Sequence, residues 1–274
     1  MSHPTAPFAL IALDLDGTTV RQDMTVSPRV LRAAQMAMQR GARVTIATGR
    51  NVPSTRPFAA LFGANAPVIC QQGGVIYDYR SETALLRITL PYALTCELIA
   101  LEAQHPEWRV VMYQDERIFV SDGEFFRHIH SLIGFEPAVV RDLCAVLDGR
   151  DADKVLFTIE PDDAPRALAH LRALVGDRAT VVQSHAHFVE VNPLGADKGS
   201  ALRWLANRLS VPRERVMAIG DQGNDATMVA WAGFGVAMGN GNDVTKAVAD
   251  WIAPGIEEDG AAVAIEKFVL GSEG

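Results

Sequence analysis

Short apolar runs that each break off into a polar, glycine-bearing turn set the tightest limit on what this chain can fold into. Residues 8–13 run into Asp14-Leu15-Asp16-Gly17, and 43–47 into Thr48-Gly49-Arg50. Residues 67–70 run into Gln71-Gln72-Gly73-Gly74, and 216–219 into Gly220-Asp221. Ser27 and Pro28 open a helix that extends to about Gln39, with Gly41 past its end, and Asn51 and Pro53 open another. Strand and helix alternating at this spacing predict an α/β fold, a doubly wound, parallel, Rossmann-like sheet.

The pattern changes after Gly74. Strand-like stretches at 75–78, 85–90, 109–113, 117–121, 155–160, 180–184 and 188–191 outnumber helical ones at about 94–104 and 164–174. Alternation resumes near Asp197. The chain therefore reads as a sheet domain of residues 1–84 and 190–274, interrupted by an inserted α+β module over 85–189.

Composition excludes several functions. The net charge of -8 without a basic tract argues against nucleic acid and against anionic membranes. No apolar run reaches the roughly 20 residues that span a bilayer. The apolar N-terminal stretch lacks a basic leader and reads as a strand. The three cysteines, Cys70, Cys96 and Cys144, show no metal or disulfide spacing, which fits a reducing cytoplasm.

The chemistry sits where the runs end, because ligands bind at the carboxyl edge of a parallel sheet. Asp14 and Asp16 leave the first strand one residue apart. One carboxylate can attack phosphorus while the other handles protons, and Gly17 lets the chain bend. A calcium loop is a weaker reading, since Thr19, Val20 and Arg21 stand where its later ligands would be. Thr48 and the Gly49 N–H suit a phosphoryl oxygen. Lys198, one of four lysines, could hold Asp14 and a phosphoryl group together by charge. Asp221, Asn224 and Asp225 follow the fourth run, and carboxylates beside Asp14 would suffice for Mg2+. Each segment alone also reads as a polar turn or helix cap.

In this order the four segments resemble the motifs of the haloacid dehalogenase superfamily of phosphohydrolases. The stretch 220–238, Ala249-Asp250 and Glu258-Asp259-Gly260 are similar to its Cof-type branch. The resemblance covers most of 8–84 and 190–268 and reaches the insert only by position. It implies Asp14 as nucleophile and metal ligand, and Asp16 as general acid and base that lends its backbone carbonyl to the metal. Thr48 and Gly49 would bind phosphate, and Lys198 would steady Asp14. Asp221 would bind magnesium with Asp225 as ligand or support, and Asn224 would orient the phosphate or Lys198. An insert after the third strand resembles a type 2 cap, which would exclude water and choose the leaving group. Gln72-Gly73 stands where the pattern usually has Asn-Gly, and Thr19 and Val20 also depart from it.

The reading is a Mg2+-dependent phosphatase for small phosphorylated metabolites, sugar or cofactor phosphates, acting through an aspartyl-phosphate as a monomer or small homo-oligomer. The alternatives are a phosphotransferase or phosphomutase with the same intermediate, and a non-catalytic phospho-accepting protein. A dinucleotide loop at 233–239 has the wrong spacing. His185 and His187 lack a third zinc ligand, His128 and His130 diverge on a helix, and Trp204 and Trp231 read as core.

Overall fold

The computed structural model describes residues 7–123 and 136–271, without the side chains of Ser184 and His185. The chain forms two compact units. One holds residues up to Leu86 together with those from Asp197 onward, and the other spans Arg87–Ala196.

The first unit begins with β1 (Leu10–Leu13), α1 (Pro28–Gln39), β2 (Arg43–Ile46), α2 (Val52–Phe62) and β3 (Val68–Cys70). The expected caps are present. The Ser27 hydroxyl accepts the Arg29 N–H and the Asn51 side-chain Oδ1 accepts that of Ser54. Strands β4 (Val75–Asp78) and β5 (Thr83–Arg87) join β3 in a separate three-stranded sheet.

The second unit contains α3 (Tyr92–Ile99), α4 (Leu101–Gln104), β6 (Arg109–Gln114), β7 (Arg117–Val120), β8 (Ala138–Val139) and α5 (Leu143–Leu147). It continues with β9 (Lys154–Thr158), α6 (Ala164–Val175), β10 (Ala179–His185) and β11 (Phe188–Pro193). Its sheet runs β10-β11-β9-β6-β7-β8 and is antiparallel except between β7 and β8. One face buries Val110, Met112, Val155 and Phe157 against Leu94, Leu98 and Leu171. The other carries Tyr113, Leu156 and Phe188, and a buried Lys154–Glu190 pair at 3.0 Å.

The first unit resumes with α7 (Lys198–Arg208), β12 (Val216–Gly220), α8 (Ala226–Trp231), β13 (Phe234–Ala237), α9 (Asp243–Lys246), β14 (Trp251–Ile252) and α10 (Gly260–Ile265). Its main sheet has the order β14-β13-β12-β1-β2, and every pairing is parallel. Strand β1 is buried throughout because helices cover both faces. Ile11 and Leu13 pack with Val30 and Ala34 of α1 and Ala261 and Ile265 of α10, while Leu10 and Ala12 meet Leu202 and Leu205 of α7. Trp204 and Trp231 also pack against this second cluster. The winding reverses between β1 and β12, and such a reversal opens a crevice at the carboxyl ends.

Three features differ from the sequence reading. The strand expected at 85–90 lies at Thr83–Arg87, and Leu85 and Leu86 pack in the core of the first unit. Pro91, which has no N–H to offer a ladder, begins the next helix instead. The expected helix at 94–104 is two, Tyr92–Ile99 and Leu101–Gln104. Cys96 and Cys144, for which the sequence offered no pairing, form a disulfide that ties α3 to α5 with a Cα–Cα distance of 5.6 Å. A fold, not a spacing, brings residues 48 positions apart together. His128 and His130 lie outside the described residues. Among the described residues no helix is long and apolar enough to cross a membrane.

Under denaturing, non-reducing conditions, mass spectrometry after alkylation should count one modified cysteine, Cys70, and three after reduction. The double variant Cys96→Ala/Cys144→Ala should lose about 2–4 kcal/mol in a non-reducing denaturant titration.

Candidate active site

Asp14 directly follows β1, and its N–H donates to the Ile219 carbonyl at 3.0 Å, so strand pairing carries on to the site itself. Leu13 pairs with both Ile46 and Ile219, which sets the ends of β1, β2 and β12 level. The Thr19 hydroxyl donates to the Asp14 carbonyl at 2.7 Å and braces the turn. Gly17 has φ +87, and a Cβ there would lie 2.4 Å from Asp221 Oδ2. Only glycine lets the turn after β1 come this close to the loop after β12.

Asp14, Asp221 and Asp225 each offer a carboxylate oxygen within 4.8 Å of the others, and all three are buried. Lys198 opens α7 behind the Asp197 cap, whose side chain accepts the Ser200 N–H at 2.9 Å. Its Nζ donates to Asp14 Oδ1 at 2.6 Å and to Asp225 Oδ1 at 2.5 Å, and it is 1% exposed. The two carboxylates in the loop after β12 are held differently. Asp225 Oδ2 accepts the backbone N–H groups of Asp221 and Gln222, both at 2.9 Å. Asp221 accepts from the Thr18 hydroxyl at 2.8 Å and from Gln222 Nε2 at 3.0 Å.

The charges do not balance. Three carboxylates face one ammonium, so with all groups ionised the cluster carries an excess of two negative charges. Burial, followed by the charge of Asp225, raises the Asp14 pKa well above the usual carboxylate range. Burial and the same neighbour push Asp221 up to about 6, against the hydrogen bonds from Thr18 and Gln222. For Lys198 burial works downward, yet Asp14 and Asp225 outweigh it and the ammonium is raised. Burial leads both carboxylate shifts, and the excess of negative charge adds to them and holds the proton on Lys198. Hard oxygen donors around that excess fit a divalent cation.

Asp16 stands apart from this cluster. Its half-exposed carboxylate receives Arg50 Nε at 2.8 Å and Nη2 at 2.5 Å. The side-chain partner of Asp16 is thus a guanidinium. Arg50 is itself fixed, with its guanidinium carbon 4.9 Å from the Phe58 ring centroid. Thr48 is buried, and its Oγ1 accepts the Arg50 N–H at 3.2 Å. Asn224 Nδ2 donates to Gln72 Oε1 at 2.9 Å, and Gln72 Nε2 lies 2.5 Å from where a Cβ of residue 49 would be. Gln71 and Gln72 have φ of 52 and 59, a left-handed conformation that costs roughly 1–2 kcal/mol per non-glycine residue.

The structure thus gathers Asp14, Lys198, Asp221 and Asp225 at one point, and brings Gly49 and Asn224 together through Gln72. Sequence reasoning gave no role to Thr18, Arg50, Gln72 or Gln222. Arg50 lies inside a quoted segment and Thr18 directly follows one, so adjacency was their only signal. His187 is turned toward the Ile159 carbonyl, with Nδ1 at 3.3 Å, and the His185 side chain is not described. Among the described residues the three aspartates form the one cluster of potential metal ligands.

A family model of haloacid dehalogenase-like hydrolases matches residues 11–265. The chain belongs to this family. One relative of this haloacid dehalogenase-like hydrolase is the 5-amino-6-(5-phospho-D-ribitylamino)uracil phosphatase YcsE of Bacillus subtilis. The two are 31% identical over 267 residues, which is 95% of this chain and 96% of that one. The chain is also 29% identical over 274 residues to the chloroplastic endoribonuclease YBEY of Arabidopsis thaliana. The match takes in 96% of this chain but spans about half, 47%, of that longer protein. A solved haloacid dehalogenase-like hydrolase from Bacteroides thetaiotaomicron superimposes with a TM-score of 0.86 at 27% identity, covering 95% of this chain and 99% of that one.

A raised carboxylate pKa means that the native state holds the proton more tightly than the unfolded chain. The Asp221 contribution to stability is therefore fully present below the ordinary carboxylate value and is lost as pH rises through about 6. The shift corresponds to about 3 kcal/mol. A divalent cation removes this cost, so millimolar Mg2+ or Mn2+ should raise the melting temperature more at pH 7.5 than at pH 5. Equal shifts at the two pH values in a calorimetric scan would contradict this account.

Proposed function

We propose that the protein hydrolyses phosphate monoesters of small metabolites, with Mg2+ bound at Asp14 and Asp221 and an aspartyl-phosphate formed on Asp14. The observation that carries this reading is the buried excess of negative charge at the carboxyl edge of the sheet. It includes a carboxylate fixed by an ammonium, and three carboxylate oxygens lie within 4.8 Å of one another, as a divalent cation requires. Magnesium bound there would offset the repulsion between Asp14 and an anionic ester.

Lys198 holds Asp14 Oδ1 and fixes the direction of the carboxylate. Asp14 attacks phosphorus in line with the ester oxygen, the P–O ester bond breaks, and the leaving oxygen takes a proton from Asp16. Water then attacks the phosphorus of the aspartyl-phosphate and gives its proton to Asp16, the bond from phosphorus to the Asp14 oxygen breaks, and inorganic phosphate departs. Asp16, paired with Arg50 in this structure, must leave it and carry a proton taken from solvent for the first transfer, and it faces water ionised for the second. Its half-exposed position permits this. Thr48, the Gly49 N–H and Asn224 hold the phosphoryl oxygens, with Lys198 supplying charge. The Asp16 carbonyl would lend a further oxygen to the metal. Asp225 supports it from behind, because both its oxygens already accept hydrogen bonds.

The substrates are small phosphorylated alcohols, sugar phosphates or cofactor phosphates. YcsE, named for a phosphate ester on a ribityl chain attached to a heterocycle, supports this class. We assign the choice among esters to residues 87–196; the Cys96–Cys144 disulfide removes the unpaired-cysteine argument for a reducing cytoplasm.

A panel of phosphorylated metabolites assayed with Mg2+ should show multiple turnover that EDTA abolishes. The panel would comprise sugar phosphates, pyridoxal phosphate, flavin mononucleotide and a ribitylaminouracil phosphate. Asp14→Asn should lower kcat at least about a thousandfold, and Asp16→Asn by roughly a hundred- to ten-thousandfold. Phosphate release by Asp14→Asn at the parental rate would remove Asp14 as the nucleophile.

A further inference from the structure

We propose that Gln72 is a positioning residue of the phosphoryl site: its backbone is pinned to the Thr48–Gly49 turn, and its side-chain oxygen holds Asn224 in the same frame. This rests on the reading of that turn and Asn224 as phosphate contacts.

Gln72 is fixed from its backbone outward. Its N–H donates to the Thr48 carbonyl at 3.1 Å, and that of Gln71 to the Arg50 carbonyl at 2.8 Å. The turn after β3 is therefore pinned along the turn after β2. Gly73 follows with φ +101, and a Cβ there would lie 2.3 Å from the Asp197 carbonyl oxygen. The same turn thus packs against the residue that caps α7 and precedes Lys198.

Two consecutive left-handed residues are what turn the Gln72 side chain inward, where it is 6% exposed. Its oxygen accepts from Asn224, and its nitrogen lies across the open face of Gly49. Any side chain at position 49 would collide with it. Ordering a long amide in this way costs rotamer entropy. What it secures is the direction of Asn224, whose own loop leaves it only half-buried. Asn224 Nδ2 carries two hydrogens, and Gln72 takes one. The second is then fixed in direction and can serve a phosphoryl oxygen. A space-filling role would need no polar end on this side chain, whereas a positioning role needs the acceptor oxygen.

The distinction can be read in kinetics with p-nitrophenyl phosphate and Mg2+, beside thermal melts and inhibition by inorganic phosphate. Gln72→Met keeps the length and removes the acceptor, and should lower kcat about tenfold with KM within about threefold. Gln72→Glu keeps an acceptor for Asn224 but sets an anion beside Gly49. It should raise KM and the phosphate inhibition constant about tenfold or more, while retaining more kcat than the Met variant. In an Asn224→Ala background, Gln72→Met should cost less than about threefold, since the residue acts through Asn224.

Parental kcat and KM in Gln72→Met, or an equal loss with and without Asn224, overturn the proposal. Should the Met variant not fold, Gln72→Glu decides alone, and a parental KM and phosphate inhibition overturn it. A parent protein that neither hydrolyses the ester nor binds phosphate overturns the phosphoryl-site reading, and this proposal with it. An active parent with unaltered variants overturns only the role of Gln72.

Discussion

One ammonium group, Lys198 Nζ, organises the site. It is almost fully buried and bonds to Asp14 at the end of β1 and to Asp225 after β12. Removing a charge from water is costly unless partners surround it, and here two carboxylates do so. The same bonds tie together segments that are 184 and 27 residues distant from the lysine in sequence. Lys198 also offsets only part of the charge it meets. The acids around it outnumber it, and the remaining excess suits the site to a divalent cation and then to a phosphate group brought in with that cation.

Such crowding of like charges needs backbones that approach closely. The reversal of winding between β1 and β12 supplies adjacent strand ends, and small residues supply the contact distance. A Cβ at Gly17 would strike Asp221, and one at Gly220 would lie 2.4 Å from the Cβ of Asp225. The glycines beside the acids are therefore part of the electrostatics. They set how near the carboxylates come to one another, and hence how strongly the shared charge raises their affinity for protons or metal.

Much of this was legible in the sequence because parallel strands buried on both faces read as continuous apolar runs. Residues 10–13 and 216–220 are recognisable for that reason, and an acid directly after such a run must lie at the sheet edge. What stayed hidden depends on loop conformation across long separations. The Arg50–Asp16 pair spans 34 positions and the Gln72–Asn224 bond 152. Neither has a periodic signal, and the second also depends on two left-handed glutamines that no propensity favours. The Cys96–Cys144 bond was hidden in the same way, since pairing follows from where α3 and α5 pack. The strand at 83–87 was assigned too far along because its apolar residues continue to Leu90, and only the three-stranded sheet decides where pairing stops.

The four acids of the site differ in what already occupies their oxygens, and this separates their roles better than residue type does. Asp225 has one oxygen on Lys198 and the other on two backbone N–H groups, which suits it to support and not to exchange. Asp14 and Asp221 keep acceptor capacity beside their partners, as metal ligands require. Asp16 is matched with Arg50 at the solvent side, where an ion pair is worth about 1 kcal/mol or less. A group proposed to give up and regain a proton in each catalytic cycle can leave such a partner readily. Were it buried like Asp225, the same exchange would strand a charge and cost several kcal/mol.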